Sequence, residues 1–392
     1  MKLNRAIAYC RNYDSFTSGE VAAKQVVEKI GKKPDFLLLF ASIGHDISLI
    51  LKGIKSIIAD VPICGCTSFG NITHLGHDES SHSIALMGLQ SNVINSHPFI
   101  FDELEESSQK VGREIASKLN NLKLSESTKQ LLFLFPDAKT LNSTSLFQSI
   151  EDHYQHKLEI VGGGAANDYL VPHTLQFCNQ SITKHGVSGF LMSGDFDYSI
   201  GISHGSKAFG KYRCITRACG NTIYEIDEQP ALEVVTSLLG LKNLTDISRV
   251  QNILGLGGHS KDKGYFQDTF IRAIVSYSET ENTIQVSSEM PEGLVFRFTR
   301  RNINQVLSTT QYMVDNLLAS MKEPENASYF YFNCDGRGSL LFGEETETDI
   351  DVLFNIFGKN SGFMGFFAFT EIAPFNGQNI CHAYTGVLVG IE

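Results

Sequence analysis

Phe36-Leu-Leu-Leu-Phe40 is a continuously apolar run of five residues. A strand with one face in solvent alternates, so an unbroken run of this length suits a strand covered on both faces. Beyond it, Ile47, Ile50, Leu51, Ile54, Ile57 and Ile58 recur at three- and four-residue spacing, the period of an amphipathic helix. A glycine-rich segment follows, Cys64-Gly-Cys-Thr-Ser-Phe-Gly70, and then the apolar stretch Ser83–Leu89. Strand, helix, glycine strand and closing strand make one unit.

The same order recurs twice. Leu131-Leu-Phe-Leu-Phe135 precedes a weaker helical pattern at Leu146, Phe147 and Ile150, then Val161-Gly-Gly-Gly-Ala-Ala-Asn167 and Val187–Met192. Tyr329-Phe-Tyr-Phe332 precedes Ile350, Leu353, Phe354 and Phe357, then Gly365-Phe-Phe-Ala-Phe-Thr-Glu371 and Tyr384–Ile391. In that third helix Glu344, Glu345 and Glu347 are read as the acidic first turn. The expectation is a mixed α/β fold, with sheets covered by helices and built from repeated strand-helix-strand-strand units.

Between these units, Thr17 and Glu20 fit a capping box for a helix ending at Gly31, and further helices are expected over 102–122, from Pro230, and over 300–321. A β-rich insertion is expected at about 250–299. At 392 residues the chain is long enough for two or three domains of roughly 100–200 residues each. The turn-rich stretch around Gly205, Gly210 and Gly220 places the boundary, giving domains over 1–215 and 216–392.

Net charge −11 and a pI near 5.6 argue against nucleic acid and anionic lipid as main partners, which call for a positive surface. Arg297, Arg300 and Arg301 read as a solvated face. No apolar segment approaches the ~20 residues of a membrane span, and no signal-peptide core follows Met1, so the expected location is the cytoplasm. The eight cysteines are scattered, as reduced thiols would be, and Cys64-Gly-Cys66 is too tight for a zinc knuckle. His74, His77 and His82, and His153 with His156, are a weak basis for a metal site.

No Gly-x-Ser-x-Gly, Walker A or His-Glu-x-x-His pattern is present. The triple glycine Gly162–Gly164 reads either as close strand packing or as a phosphate cradle. Asn333-Cys-Asp-Gly-Arg-Gly338 breaks directly out of a buried strand, where α/β sheets present ligand sites. There Arg337 is suited to grip a carboxylate, and Glu371 to take an amine or to pair with Arg337. Cys381 and His382 precede the last strand. A thiol nucleophile at Cys334 would require a lowered pKa and a base that the sequence does not place.

These segments resemble the FIST family over nearly the whole chain. The carrying motifs are Pro34–Phe40, Val61–Gly70, Val161–Asp168, Ile202-Ser-His-Gly205, Gly220–Asp227, Phe332–Arg337 and Gly365–Glu371. The resemblance assigns 1–215 to a FIST N-terminal domain and 216–392 to a FIST C-terminal domain. It implies a non-enzymatic bacterial sensor of small ligands, amino-acid-like ones among them, with Cys334, Arg337, Glu371 and His382 at the ligand. The chain has Thr370-Glu371 where the family often has Gly-Glu, and Ala383-Tyr384-Thr385 where it often has Asn-x-Thr, both at that pocket. Similarity to stand-alone members of the nitric-oxide-sensing NosP group further implies noncovalent haem b, with His204 as axial ligand or His382 in its place. The partner it implies is a sensor histidine kinase. A homodimer stays open.

Overall fold

A computed structural model describes residues 3–241, 254–259, 269–343, 347–358 and 362–392. It contains four sheets, three of them built on one plan. In the first repeat the opening strand Asn4–Arg11 leads through helix Ser15–Ile30 to the central strand Phe36–Ser42. Helix Ile47–Ile57, the third strand Ile63–Ser68, the hairpin Gly70–Thr73/Gly76–Asp78 and the closing strand Ser83–Gln90 follow.

The second repeat runs Ile94–Phe101, helix Ser108–Asn120, Lys129–Pro136, helix Ser143–His153, Ile160–Gly163, hairpin Gln176–Cys178/Ser181–Thr183 and Val187–Gly194. The third runs Tyr198–Ser203, helix Ile303–Ser320, Ser328–Cys334, helix Asp349–Phe357, Gly362–Ala368, hairpin Glu371–Phe375/Gln378–His382 and Gly386–Ile391.

Within each sheet the order is opening, closing, central, third, and then a hairpin lent by another repeat. The second repeat's hairpin joins the first sheet, the third repeat's joins the second sheet, and the first repeat's joins the third. This cyclic exchange locks the three sheets into one pseudo-threefold body. Their inner faces share a single core in which Phe40 meets Phe366 at 4.3 Å and Phe135 at 5.4 Å, and Phe135 meets Phe332 at 6.1 Å between ring centroids. Each outer face carries its own helices and its own apolar cluster. The apolar runs are therefore buried on both sides, as their lack of alternation requires.

Gly65, Gly162 and Gly365 hold equivalent places on the three third strands, opposite Leu39, Leu134 and Tyr331. A Cβ there would lie 1.8, 2.1 and 1.8 Å from the carbonyl oxygen of those residues. Close strand packing, not a phosphate cradle, accounts for the glycine at position 162.

The third repeat is interrupted between its opening strand and first helix. The described residues between 206 and 301 form the fourth, seven-stranded sheet, with helix Ala231–Leu239 packed on it. The β-rich insertion thus begins well before residue 250.

Three local expectations change. Asp14, not Thr17, caps the first helix: its carboxylate, a stronger acceptor than a hydroxyl, takes the Thr17 N–H at 2.6 Å. The helix of the third repeat is entered by a capping box of Thr348 and Asp351, with Asp349 and Asp351 in its first turn; Glu344 and Glu345 lie outside the described residues. Arg301 is buried, not solvated, because the fourth sheet presses that edge onto the third repeat.

Candidate functional site

The central strand of the third repeat delivers Cys334 and Arg337 to its C-terminal end, and the hairpin delivers Glu371 beside them. Arg337 is fully buried there. Its Nη2 reaches Asp349 Oδ2 at 2.8 Å and Thr310 Oγ1 at 2.9 Å, and its Nη1 donates to the Ser203 carbonyl. Tyr331 Oη donates to the same Asp349 at 2.7 Å. Arg337 pairs with Asp349 and is occupied by the protein itself.

Glu371 is also fully buried. Its Oε2 accepts the Thr385 N–H at 3.1 Å, while Oε1 has no hydrogen-bond partner. Burial pushes its carboxyl well above the usual carboxylate range. Burial and the neighbouring acids also push the Cys334 thiol up, the reverse of an activated nucleophile. From the fourth sheet, Arg301 donates to the Gly336 carbonyl at 2.7 Å and lies 4.0 Å from the Tyr384 ring centroid. Arg272 donates to the Cys381 carbonyl at 2.7 Å. The sequence reading missed both arginines. The signal for Arg272 was a charge between Ile271 and Ala273 in an apolar strand.

The open space lies next to this sealed cluster. A cavity of about 420 Å³ brings His204 and His382 to one wall system. Its apolar side is Ile200, Ile202, Met313, Leu317 and Phe375. That volume and the mixed lining suit a small ligand. Gly205, in the left-handed region at φ 61°, packs against Val306 and turns the chain there. His204 Nδ1 accepts the Ser206 N–H at 3.0 Å. His382 is buried, its Nε2 3.3 Å from the Ala373 carbonyl. Burial, then the nearby Arg272 charge, pulls His382 down to about 3, so the ring is neutral at physiological pH. The structure therefore separates the expected site residues: Cys334, Arg337 and Glu371 are sealed, while His204 and His382 share a cavity.

A larger groove of about 660 Å³ runs under helix Ile47–Ile57, but its cationic lining is Lys52 and Lys55, both exposed. Among the described residues no group of three or more His, Cys, Asp or Glu side chains is placed to hold a metal ion, and no helix is long and apolar enough to cross a membrane.

Comparison with known proteins matches residues 35–229 to the FIST N domain and residues 231–374 to the FIST C domain. An uncharacterized protein of Mycobacterium tuberculosis is 22% identical over 374 residues, 94% of each chain. One from Mycobacterium bovis is 21% identical over 386 residues, covering 97% of this chain and 96% of that one. One from Methanocaldococcus jannaschii is 21% identical over 344 residues, 84% of this chain and 65% of the other.

Proposed function

Because the chain belongs to the FIST family, whose domains sense small ligands in signal transduction, we propose that it reports a small ligand held in the cavity between His204 and His382. The observation that carries this reading is the convergence of two imidazoles on an apolar wall, beside a strand-end cluster that the protein fills with its own groups. The wall joins the opening strand, helix Ile303–Ser320, the hairpin and Thr269 of the fourth sheet. A ligand that favours one arrangement of these elements shifts its population, which is what sensing requires. The reading places the protein in the cytoplasm, without catalytic turnover.

The more specific version places noncovalent haem b in this cavity, with nitric oxide as signal and a sensor histidine kinase as partner. Bound haem would supply an iron position for the diatomic gas. His382 supports this version. With its Nε2 proton directed at the Ala373 carbonyl, the lone pair stays on Nδ1, the second-shell pattern of metal-bound imidazoles. His204 suits the axial role less, since the Ser206 N–H occupies its Nδ1. An amino-acid-like ligand gripped by Arg337 has weaker support, because Asp349 already takes that guanidinium.

A visible absorption titration with haem tests the specific version. A saturable one-to-one Soret shift, lost in His382→Ala and kept in His204→Ala, is expected. A spectrum identical to free haem removes the haem version. The general reading fails if partner affinity is the same with the cavity empty and filled.

A further inference from the structure

Strand register and helix start align the three repeats at one place on their outer faces. Leu37 pairs with Ile63, Leu132 with Ile160 and Tyr329 with Phe363, each pair two residues ahead of the shared glycine. The ninth residue of the intervening helix is Lys55 in the first repeat, Glu151 in the second and Phe357 in the third. Close helix contacts fix the first two of these. A Cβ on Gly19 would lie 2.2 Å from the Ile50 carbonyl oxygen, and one on Gly112 2.7 Å from that of Leu146, each the fourth residue of its helix. The lent hairpins correspond as well: Asn179 Oδ1 accepts the Ile63 N–H at 3.2 Å, and Asn379 Oδ1 accepts the Ile160 N–H at 2.8 Å.

Two of these places are filled by the protein itself. In the third repeat the Phe357 ring lies 4.2 Å from Tyr329 and 5.9 Å from Phe363 between centroids. In the second, Asn379 Nδ2 donates to Glu151 Oε1 at 2.7 Å and ties helix to hairpin. In the first, the groove of about 660 Å³ occupies this place, and Lys55 and Asn179 both line it. Its apolar lining is Leu37 and Ile63 from the strand pair, Leu51, Ile54 and Ile58 from the helix side, and Ile182 from the hairpin. Among the described residues Lys52 and Lys55 make no ion pair, and the Asn179 side-chain amide donates to no protein group. Asp60 is the one carboxylate in the lining, so two ammonium groups outweigh it in a chain of net charge −11.

We propose that this groove binds a fatty-acid-like anion, a carboxylate on an unbranched aliphatic chain, at a site separate from the cavity of His204 and His382. The second repeat sets the headgroup. There a carboxylate accepts from the hairpin asparagine, whereas the first repeat carries an ammonium at that position. A ligand carboxylate restores the acceptor for Asn179 Nδ2 and pairs with Lys55 and Lys52 through charge-assisted hydrogen bonds. The third repeat sets the body. There an apolar group covers the strand pair; over Leu37 and Ile63 an alkyl chain does so, and its affinity rises with each methylene buried. A cationic amphiphile meets like charge at the two lysines. The volume is that of a small-molecule pocket.

The test uses the full chain, decanoate as probe, decyltrimethylammonium as charge control and butyrate as headgroup control. Calorimetry measures affinity, and carbon NMR of carboxyl-labelled decanoate follows the headgroup. Decanoate is expected to bind saturably at one site with a shifted carboxyl signal, octanoate to bind more weakly, and neither control to bind. Lys55→Glu supplies the second repeat's carboxylate from the protein and is expected to weaken decanoate binding at least about tenfold. Lys55→Phe supplies the third repeat's ring and is expected to abolish binding; the position is exposed, and this variant decides the matter if Lys55→Glu does not fold. Unchanged decanoate binding in a folded variant overturns the proposal, as does decyltrimethylammonium binding as tightly as decanoate. No saturable decanoate binding to the wild-type chain overturns it outright.

Discussion

Gln176 and Glu371 occupy the same position in two of the three repeats, and each takes a backbone N–H from the residue ahead of its closing strand. Gly186 N lies 3.3 Å from Gln176 Oε1, and Thr385 N lies 3.1 Å from Glu371 Oε2. The repeats thus solve one local problem twice, once with an amide and once with a buried carboxylic acid.

Glu371→Gln is expected to stabilise the protein above acidic pH. The folded carboxyl titrates well above its ordinary 4.5, so the unfolded chain ionises first. Wild-type stability is then fully present below about that value and lost as pH rises toward the folded pKa, by at most ~1.4 kcal/mol per pH unit. Urea denaturation from pH 4 to 8 checks this. The variant is expected to match wild type at the acid end and to exceed it increasingly toward neutrality. Parallel pH curves would contradict the assignment.

His382 works in the opposite sense. Its folded value of about 3 lies below the ordinary 6.5, so stability is present above 6.5 and lost as pH falls from there toward 3. His382→Asn is expected to flatten that limb relative to wild type in the same denaturation series. An unchanged acid limb would show that His382 is not held neutral.

Asp349→Ala is expected to cost about 3–5 kcal/mol, because it strands the Arg337 charge where neither side chain is solvent-exposed. Chemical denaturation measures it. A loss under about 1 kcal/mol would mean that Ser203 and Thr310 suffice for the guanidinium.

Gly365→Ala places a methyl group 1.8 Å from the Tyr331 carbonyl and is expected to cost about 3 kcal/mol or more. Gly240→Ala, at φ 67° with nothing within 4 Å of the added atom, carries only backbone strain and is expected to cost about 1 kcal/mol. Equal losses at the two positions would contradict the close strand packing shared by the three repeats.

Much of this fold was legible. The three apolar runs, their helical sequels and the glycine strands placed the repeats, because burial on both faces removes alternation and leaves a recognisable composition. The hairpin exchange was not legible: Gly70–Thr73 and Gln176–Cys178 are too short for sequence to say which sheet they join. For the same reason His204 and His382 were separate candidates, and only the returning hairpin brings them to one cavity. Arg337 read as a carboxylate grip or as the ion-pair partner of Glu371, because its actual partner, Asp349, lies on a later helix with no local pattern linking them. Arg301 read as surface because the pressing of the fourth sheet on the third repeat leaves no periodic trace.

The central claim is that the ligand sits in the cavity lined by His204 and His382. Difference density from crystals soaked with haem tests it most directly. The account predicts density between His204 and His382, against Met313 and Leu317. Density in the groove under helix Ile47–Ile57, or at Arg337 with its Asp349 contact broken, would contradict it.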